Sequence, residues 1–418
     1  MERSNENMVH KGELIDKSTY FNRCNSMYVS DSVRKCSTVY LFSILMRFLY
    51  ILIFLSSCFK SFSQSSINES DSLKDFKHWI DSTRDVKSQF TILHIGDSHI
   101  QPNNLSGVVR FSIQKKYWSS GRGLIFPYTL AKTNGPKDVK FSSNVEWENA
   151  WITKPHQFNI GLTGISIRSK SEQGNVKWKS GVDSLHYPCS EGLLSFEIED
   201  CKDCAVIVNG RKKIYGTNPS IMDTIQFPMG LDSNKIEFYG GKFVLLDLIE
   251  KNSSPGVVYH STGVAGATFQ TYIQNPLFQR ELGLFNPDLI IISLGTNESV
   301  KTWNQAKFES EVSAFLNLLM SKAPNSKIII VLPNENYQLK NNQWTYNDRI
   351  DYVRTSLSSF ENNRNILLYD QQKAMGGTGC MLLWETKGLV NKDHIHFLKK
   401  GYQEQGRLLF KFLDELFK

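Results

Sequence analysis

Four short stretches of this chain are apolar almost from end to end: Phe90-Thr91-Ile92-Leu93-His94-Ile95, Leu289–Leu294, Ile328–Leu332 and Ile366–Tyr369. They are too short for stable helices and rich in β-branched residues. A strand without polar-apolar alternation is covered on both faces. Other segments have helical spacing instead. Leu105, Val108, Val109 and Ile113 follow the first run. Phe308, Val312, Phe315, Leu316 and Leu319 precede the third, and Leu408, Leu409, Phe412, Leu413 and Leu416 mark the end of the chain. Strands that alternate with helices predict a three-layer α/β/α arrangement around a parallel sheet.

The middle of the chain breaks this rhythm. From Val139 to Lys251 helical periodicity is absent. Leu193–Glu199, Ala205–Val208, Lys235–Tyr239 and Phe243–Ile249 read as strands, with turn signals at Asn209-Gly210, Asn234 and Gly240-Gly241. Many short strands with regular turns predict an all-β sandwich inserted into the α/β domain. The reading divides the chain into a leader (1–63), a linker (64–85), a first α/β part (86–137), the insert (138–255) and a second α/β part (256–418). The insert is expected to be an independent sandwich.

The leader speaks to location. From Met46, the segment Met46-Arg47-Phe48-Leu49-Tyr50-Ile51-Leu52-Ile53-Phe54-Leu55 has the charge and short apolar core of a secretory signal. Residues 1–45 then read as a start-site artefact. Leu55-Ser56-Ser57-Cys58 resembles a bacterial lipobox, and Ser61-Phe62-Ser63 before Gln64 offers an ordinary cleavage site. A retained signal anchor wants a longer uncharged run than Arg47 allows. The expectation is an exported protein, periplasmic or held to a membrane through lipidated Cys58. Of seven cysteines, Cys201 and Cys204 form a CxxC without a partner pair at zinc spacing, so a local disulfide is expected. The net charge of +7 is spread among acids rather than gathered in a stripe, which argues against a nucleic-acid partner.

Four segments have residues suited to chemistry, three just past a strand and one just before the last helix. Gly96-Asp97-Ser98 puts a hydroxyl at the carboxyl edge of the sheet, where open α/β sheets bind ligands. A serine needs a base, and Asp393-His394-Ile395-His396 supplies one: an Asp three residues before a His reaches the imidazole Nδ1 and leaves Nε2 free. Gly263-Val264-Ala265-Gly266-Ala267-Thr268 offers an unobstructed N–H, and Gly295-Thr296-Asn297-Glu298 a side-chain amide. Taken singly, each is also what an ordinary strand-to-helix turn contains.

Taken together, the order Ser, Gly, Asn, Asp-x-x-His resembles the SGNH (GDSL-like) hydrolase superfamily, of flavodoxin-like three-layer α/β/α fold. Further segments are similar to the peptidoglycan O-acetylesterase branch: His99-Ile100-Gln101 after the serine, Gly121–Tyr128, Thr133-Asn134-Gly135-Pro136, Met375-Gly376-Gly377 and Trp384. In that branch a carbohydrate-binding-like β-domain interrupts the hydrolase fold between the first two blocks, as the insert does here. The resemblance implies that Ser98 is the nucleophile, His396 the base and Asp393 its orienter. The N–H groups of Ser98 and Gly266 and the Asn297 amide would form the oxyanion hole. Asp97 would be structural, and Glu298 stands where the family has Asp. No metal or organic cofactor is implied. The implied partner is an O-acetylated glycan, with cell-wall peptidoglycan foremost. An O-acetyltransferase with the same triad and a non-catalytic glycan-binding surface lipoprotein are the alternatives. His94 is expected to pack in the core. His99 is expected either to line the pocket or to cap the following helix. Trp147, Trp151 and Trp178 are expected either to stack on sugar rings or to fill the sandwich core.

Overall fold

The computed structural model describes residues 71–181, 189–301 and 304–418. The expected signal segment, Met46 and Cys58 lie outside the described residues. In chain order come α1 (Asp71–Val86), β1 (Gln89–Gly96), α2 (Ser106–Tyr117) and β2 (Gly123–Ile125). Ten strands follow: β3 (Val139–Ser143), β4 (Trp147–Trp151), β5 (Ile165–Ser169), β6 (Gln173–Ser180), β7 (Glu191–Cys201), β8 (Ala205–Val208), β9 (Arg211–Ile214), β10 (Asn218–Pro228), β11 (Asn234–Tyr239) and β12 (Lys242–Lys251). The α/β rhythm then resumes with β13 (Gly256–Gly263), α3 (Phe269–Ile273), α4 (Pro276–Phe285), β14 (Leu289–Ser293), α5 (Thr296–Val300), α6 (Gln305–Lys322) and β15 (Lys327–Leu332). A hairpin, β16 (Tyr337–Lys340) and β17 (Gln343–Tyr346), precedes α7 (Arg349–Ser358), β18 (Ile366–Asp370), α8 (Gln371–Met375), α9 (Cys380–Thr386) and α10 (Lys399–Leu416).

The central sheet has the order β13-β1-β14-β15-β18 and every pairing in it is parallel. The four apolar runs are the four strands β1, β14, β15 and β18. Their side chains are buried on both faces, which is why the sequence shows no alternation. His94 packs in β1 as expected. Its Nδ1 lies 2.7 Å from Tyr259 Oη and its Nε2 2.8 Å from Ser293 Oγ, so one buried imidazole joins three strands. Burial pushes its pKa down to about 3, and the ring is neutral.

The linker assigned to 64–85 needs correction. Residues 71–86 are a helix, with Leu73, Phe76 and Ile80 buried at i, i+3 and i+7 against the central sheet's core. The polar residues between them obscured that stripe.

The strands from β3 to β12 build two antiparallel sheets. One has the order β10-β7-β12-β5-β4, with β2 added on β12; the other runs β3-β6-β11-β8-β9. Phe238 of one sheet stacks on Phe243 of the other at 5.0 Å, and Trp147 meets both rings edge-on. Trp147 and Trp178 are buried core residues, and Trp178 donates to Glu250 Oε1. Only Trp151 of the three is partly exposed, with Lys154 Nζ 4.7 Å from its ring centre. The Cys201–Cys204 disulfide is formed.

The sandwich is not an independent body. Its Phe196, Phe238 and Phe243 belong to one continuous apolar core with Ile290 and Ile292 of β14 and Phe315 of α6. Buried hydrogen bonds cross the junction. Glu281 on α4 accepts from Leu162 N at 2.9 Å and Ser195 Oγ at 2.8 Å; Thr262 Oγ1 on β13 donates to Thr163 O at 2.9 Å; and Asn275 Nδ2 donates to Gly161 O at 3.1 Å. Excising residues 138–255 would strand these polar groups and expose the shared core. The shortened protein is therefore expected to lose its cooperative thermal transition and near-ultraviolet circular dichroism. A folded, cooperative product would show that the hydrolase half stands alone.

Candidate active site

The site is built at the carboxyl ends of the central strands. β1 ends at Gly96, where a Cβ would lie 2.3 Å from Ile100 Cγ1; only glycine lets the chain fold back so tightly. The following turn is closed by Ile100 N and Gln101 N, which both donate to Asp97 O, and by His99 N, which donates to Asp97 Oδ1 at 2.9 Å. Ser98 stands on this turn. The helix α2 begins at Ser106, with Leu105, the first of the apolar residues at helical spacing, as its cap.

Ser98 Oγ lies 2.9 Å from His396 Nε2, and His396 Nδ1 lies 2.8 Å from Asp393 Oδ2. The other carboxylate oxygen, Asp393 Oδ1, accepts from Ile395 N at 3.0 Å and His396 N at 2.8 Å. Partial burial works against ionising Asp393, but these backbone N–H groups and the imidazole outweigh it and hold its pKa below the ordinary value. An ionised carboxylate at Nδ1 fixes the tautomer that leaves Nε2 to accept the serine proton. The neighbouring His394 points elsewhere. It is buried at φ 52°, its Nε2 is 3.1 Å from Glu385 Oε1, and its ring stacks on Trp344 at 4.3 Å.

Gly266 has φ 81°, which favours glycine even though the space about its Cβ position is open. The N–H groups of Ser98 and Gly266 have no hydrogen-bond partner among the described residues. Asn297 is differently placed from the expectation. Its Nδ2 donates to Asp97 Oδ2 and to Ala267 O, both at 3.0 Å, so both amide hydrogens are engaged. It laces the serine turn to the glycine turn. Gln101 does the same: its Oε1 accepts from Ala265 N at 2.7 Å, and its Nε2 donates to Thr133 Oγ1 and Asn134 O. Gln101 and the Thr133-Asn134 pair were visible in the sequence only as motif residues; the structure gives them this bracing role. His99 lines the site. Its ring stacks on His396 at 5.1 Å, and Nδ1 lies 3.0 Å from Tyr402 Oη. Burial first, then the charge on His396, pushes its pKa down to about 3.

Two buried acids stand behind the serine turn. Burial pushes Asp97 up to about 7, against the His99 N–H and His396. Glu298 accepts from Phe269 N at 2.9 Å through Oε1, and burial, with a contribution from Asp97, pushes it to about 7 as well. Among the described residues no cluster of three or more His, Cys, Asp or Glu suits a metal ion.

Residues 242–404 match the model of the GDSL-like Lipase/Acylhydrolase family, a span that includes Gly266, Asn297, Asp393 and His396 but not Ser98. No curated protein sequence matches the chain. Among solved structures, one described as a peptidoglycan O-acetylesterase is similar at TM-score 0.71 and 21% identity, over 82% of this chain and 96% of that one. A family two carbohydrate esterase from Cellvibrio japonicus aligns over 66% of this chain and 99% of its own at 11% identity, with a TM-score of 0.30. A lipase/acylhydrolase from Enterococcus faecalis aligns over 38% of this chain and 77% of its own at 18% identity, also at 0.30.

The raised acids carry a stability consequence. Glu298 holds its proton more tightly in the folded than in the unfolded chain, from an ordinary 4.5 to about 7. Its contribution is therefore intact below about pH 4.5, falls as the pH rises towards 7, and is constant above that, a loss on the order of 3 kcal/mol. Glu298→Gln keeps the acceptor for Phe269 N without the charge. Its urea midpoint is expected to drop less between pH 5 and pH 8 than that of the parent protein.

Proposed function

We propose that this chain, a carboxylic ester hydrolase of the SGNH/GDSL superfamily, removes O-acetyl groups from peptidoglycan or a related polysaccharide. The observation that carries the reading is the relay Ser98–His396–Asp393, with contacts of 2.9 and 2.8 Å at the edge of a parallel sheet. The β-sandwich joined to it supports a polymeric substrate, because the likeness to the peptidoglycan O-acetylesterase structure extends over 82% of the chain. In keeping with the leader segment, we propose that the enzyme acts after export, in the periplasm or on a membrane as a lipoprotein.

In this reading Ser98 Oγ attacks the acetyl carbonyl carbon as its proton passes to His396 Nε2. Asp393 stabilises the imidazolium through Nδ1–H. The tetrahedral oxyanion takes the N–H groups of Ser98 and Gly266 as donors. Asn297 holds these two turns in register, and becomes a third donor when one of its N–H groups turns from Asp97 or Ala267 to the oxyanion. His396 then returns the proton to the sugar oxygen as the C–O bond breaks, which leaves acetyl-Ser98. Water attacks this ester with His396 again as base; His396 returns the proton to Ser98 Oγ as the acyl C–O bond breaks, and acetate departs.

Acetate release from O-acetylated peptidoglycan by the purified protein tests the substrate; no release where p-nitrophenyl acetate is cleaved would refute it. Ser98→Ala and His396→Ala are each expected to lower kcat on p-nitrophenyl acetate by roughly 10⁶-fold. His394→Ala should retain far more activity, and Asn297→Ala should lose about 10²-fold. A fully active, folded Ser98→Ala protein would overturn the assignment.

A further inference from the structure

One surface element beside the site is built more firmly than a surface turn needs to be. The β16–β17 hairpin is closed by Asn341-Asn342, both left-handed at φ 50° and 59°, the conformation of a tight two-residue hairpin loop. Its feet are pinned to two elements of the site. Asn336 and Asn347 bond each other, and both reach Ser299 on α5, the helix that carries Asn297. Tyr337 N donates to His394 O at 3.1 Å, in the loop that carries Asp393 and His396. Below the hairpin, buried Glu335 accepts from Gly379 N and Met381 N. The hairpin thus rises from the edge of the sheet that holds Ser98, between the amide-bearing helix and the base loop.

Its pairing sets Leu339 opposite Trp344 and Tyr337 opposite Tyr346, so these four side chains share one face. Tyr337 and Trp344 both meet the His394 ring on this face. His394 covers one side of the indole at an interplanar angle of 8°, yet Trp344 is still 41% exposed and Leu339 57%. The ring is thus stacked on one side by His394 and in part open to solvent. From Tyr337 to Tyr346 there is no acid. Gln338, Lys340, Gln343 and Thr345 alternate to the opposite face; on the face of Trp344 stand the hydroxyl-bearing rings of Tyr337 and Tyr346, with Asn341 and Asn342 in the loop at the hairpin's end. A partly exposed aromatic ring with tyrosines and an apolar Leu339 on the same face suits a pyranose ring, which offers C–H groups on its flat side and hydroxyls at its rim.

We propose that the Tyr337–Tyr346 hairpin is a glycan subsite, with the exposed part of the Trp344 ring as the platform for a sugar ring next to the acetylated one. The proposal rests on the polysaccharide reading given above and names the element that would recognise the polymer. Trp344 then has two contacts: one ring face steadies His394, and the exposed part of the ring bears the substrate.

The test compares Trp344→Ala and Trp344→Phe with the parent protein on O-acetylated peptidoglycan and on p-nitrophenyl acetate. For Trp344→Ala the ratio of kcat/KM on polymer to that on the small ester is expected to fall roughly tenfold, the scale of one lost aromatic contact. The fall should lie in KM for the polymer. Trp344→Phe, which keeps a ring on His394, should recover most of it. An unchanged ratio, whether both activities fall together or neither does, overturns the subsite: the first outcome would leave Trp344 as a prop for the base loop only. Co-sedimentation with peptidoglycan in a Ser98→Ala background reads binding without turnover. If the parent protein releases no acetate yet its sedimentation depends on Trp344, the esterase reading fails and the subsite stands; sedimentation that ignores Trp344 overturns the subsite.

Discussion

The place of β1 in the sheet governs everything at the site. β1 pairs with β13 on one side and β14 on the other, in parallel registers that end together at Gly96, Gly263 and Ser293. The chain leaves β1, returns through the sandwich to the outer strand β13, then crosses to the other side for β14, β15 and β18. The connections diverge at this point and leave a crevice above the strand ends. The serine turn, the glycine turn and the amide-bearing helix each follow one of these three adjacent strands. The base comes from the far end of the chain, 298 residues from Ser98, on the loop before α10. The packing of α10 against α2, where Gly406 lies close against the Leu105 carbonyl and Val108, draws the chain end to the first strand.

A crevice is not yet a site. Its precision comes from buried polar groups that would be costly if left unpaired. Asn297 spans Asp97 and Ala267, Gln101 spans Ala265 and the Thr133-Asn134 segment, and Tyr272 Oη donates to Gly96 O at 2.7 Å. Each joins segments distant in sequence. Behind them Asp97 and Glu298 carry raised pKa values near 7, so the protein tolerates two unfavourable carboxyl groups beneath the serine turn. The left-handed His394 in the base loop is a third local strain, held by Glu385, Trp344 and Tyr337. These features oppose stability and favour a fixed geometry, the usual trade at a site that must be preorganised.

The parallel sheet was legible because burial on both faces writes itself into the sequence as uninterrupted apolar runs, and β1, β14, β15 and β18 are those runs. Ser98, Asp393 and His396 were legible because each follows such a run or precedes the last amphipathic helix. The misses have equally definite causes. α1 has only three fully buried apolar residues among many charges, so its stripe is thin. The hairpin's Asn-Asn loop between alternating segments was a readable signal, but its strands are four residues each and largely exposed. The direction of the Asn297 amide depends on Asp97, 200 residues away, and no local pattern records that. The union of sandwich and α/β core also rests on pairs such as Leu162 with Glu281, which periodicity within either half cannot reveal.

This union bears on how substrate choice can arise. The serine, histidine and aspartate contacts specify attack on an ester and nothing about what the ester is attached to. Discrimination must therefore come from walls fixed relative to Ser98 to within a fraction of an ångström, because misplacement forfeits the advantage of proximity. A freely hinged domain would meet that demand poorly. A sandwich joined through a shared apolar core and the buried carboxyl of Glu281 meets it, since its surfaces keep a set distance from the sheet edge. The Tyr337–Tyr346 hairpin meets it in another way, through hydrogen bonds to α5 and to the base loop itself. In both cases rigidity comes from buried polar bonds between elements far apart in sequence. The same kind of bond that positions the serine thus extends outward to the sandwich and to the hairpin.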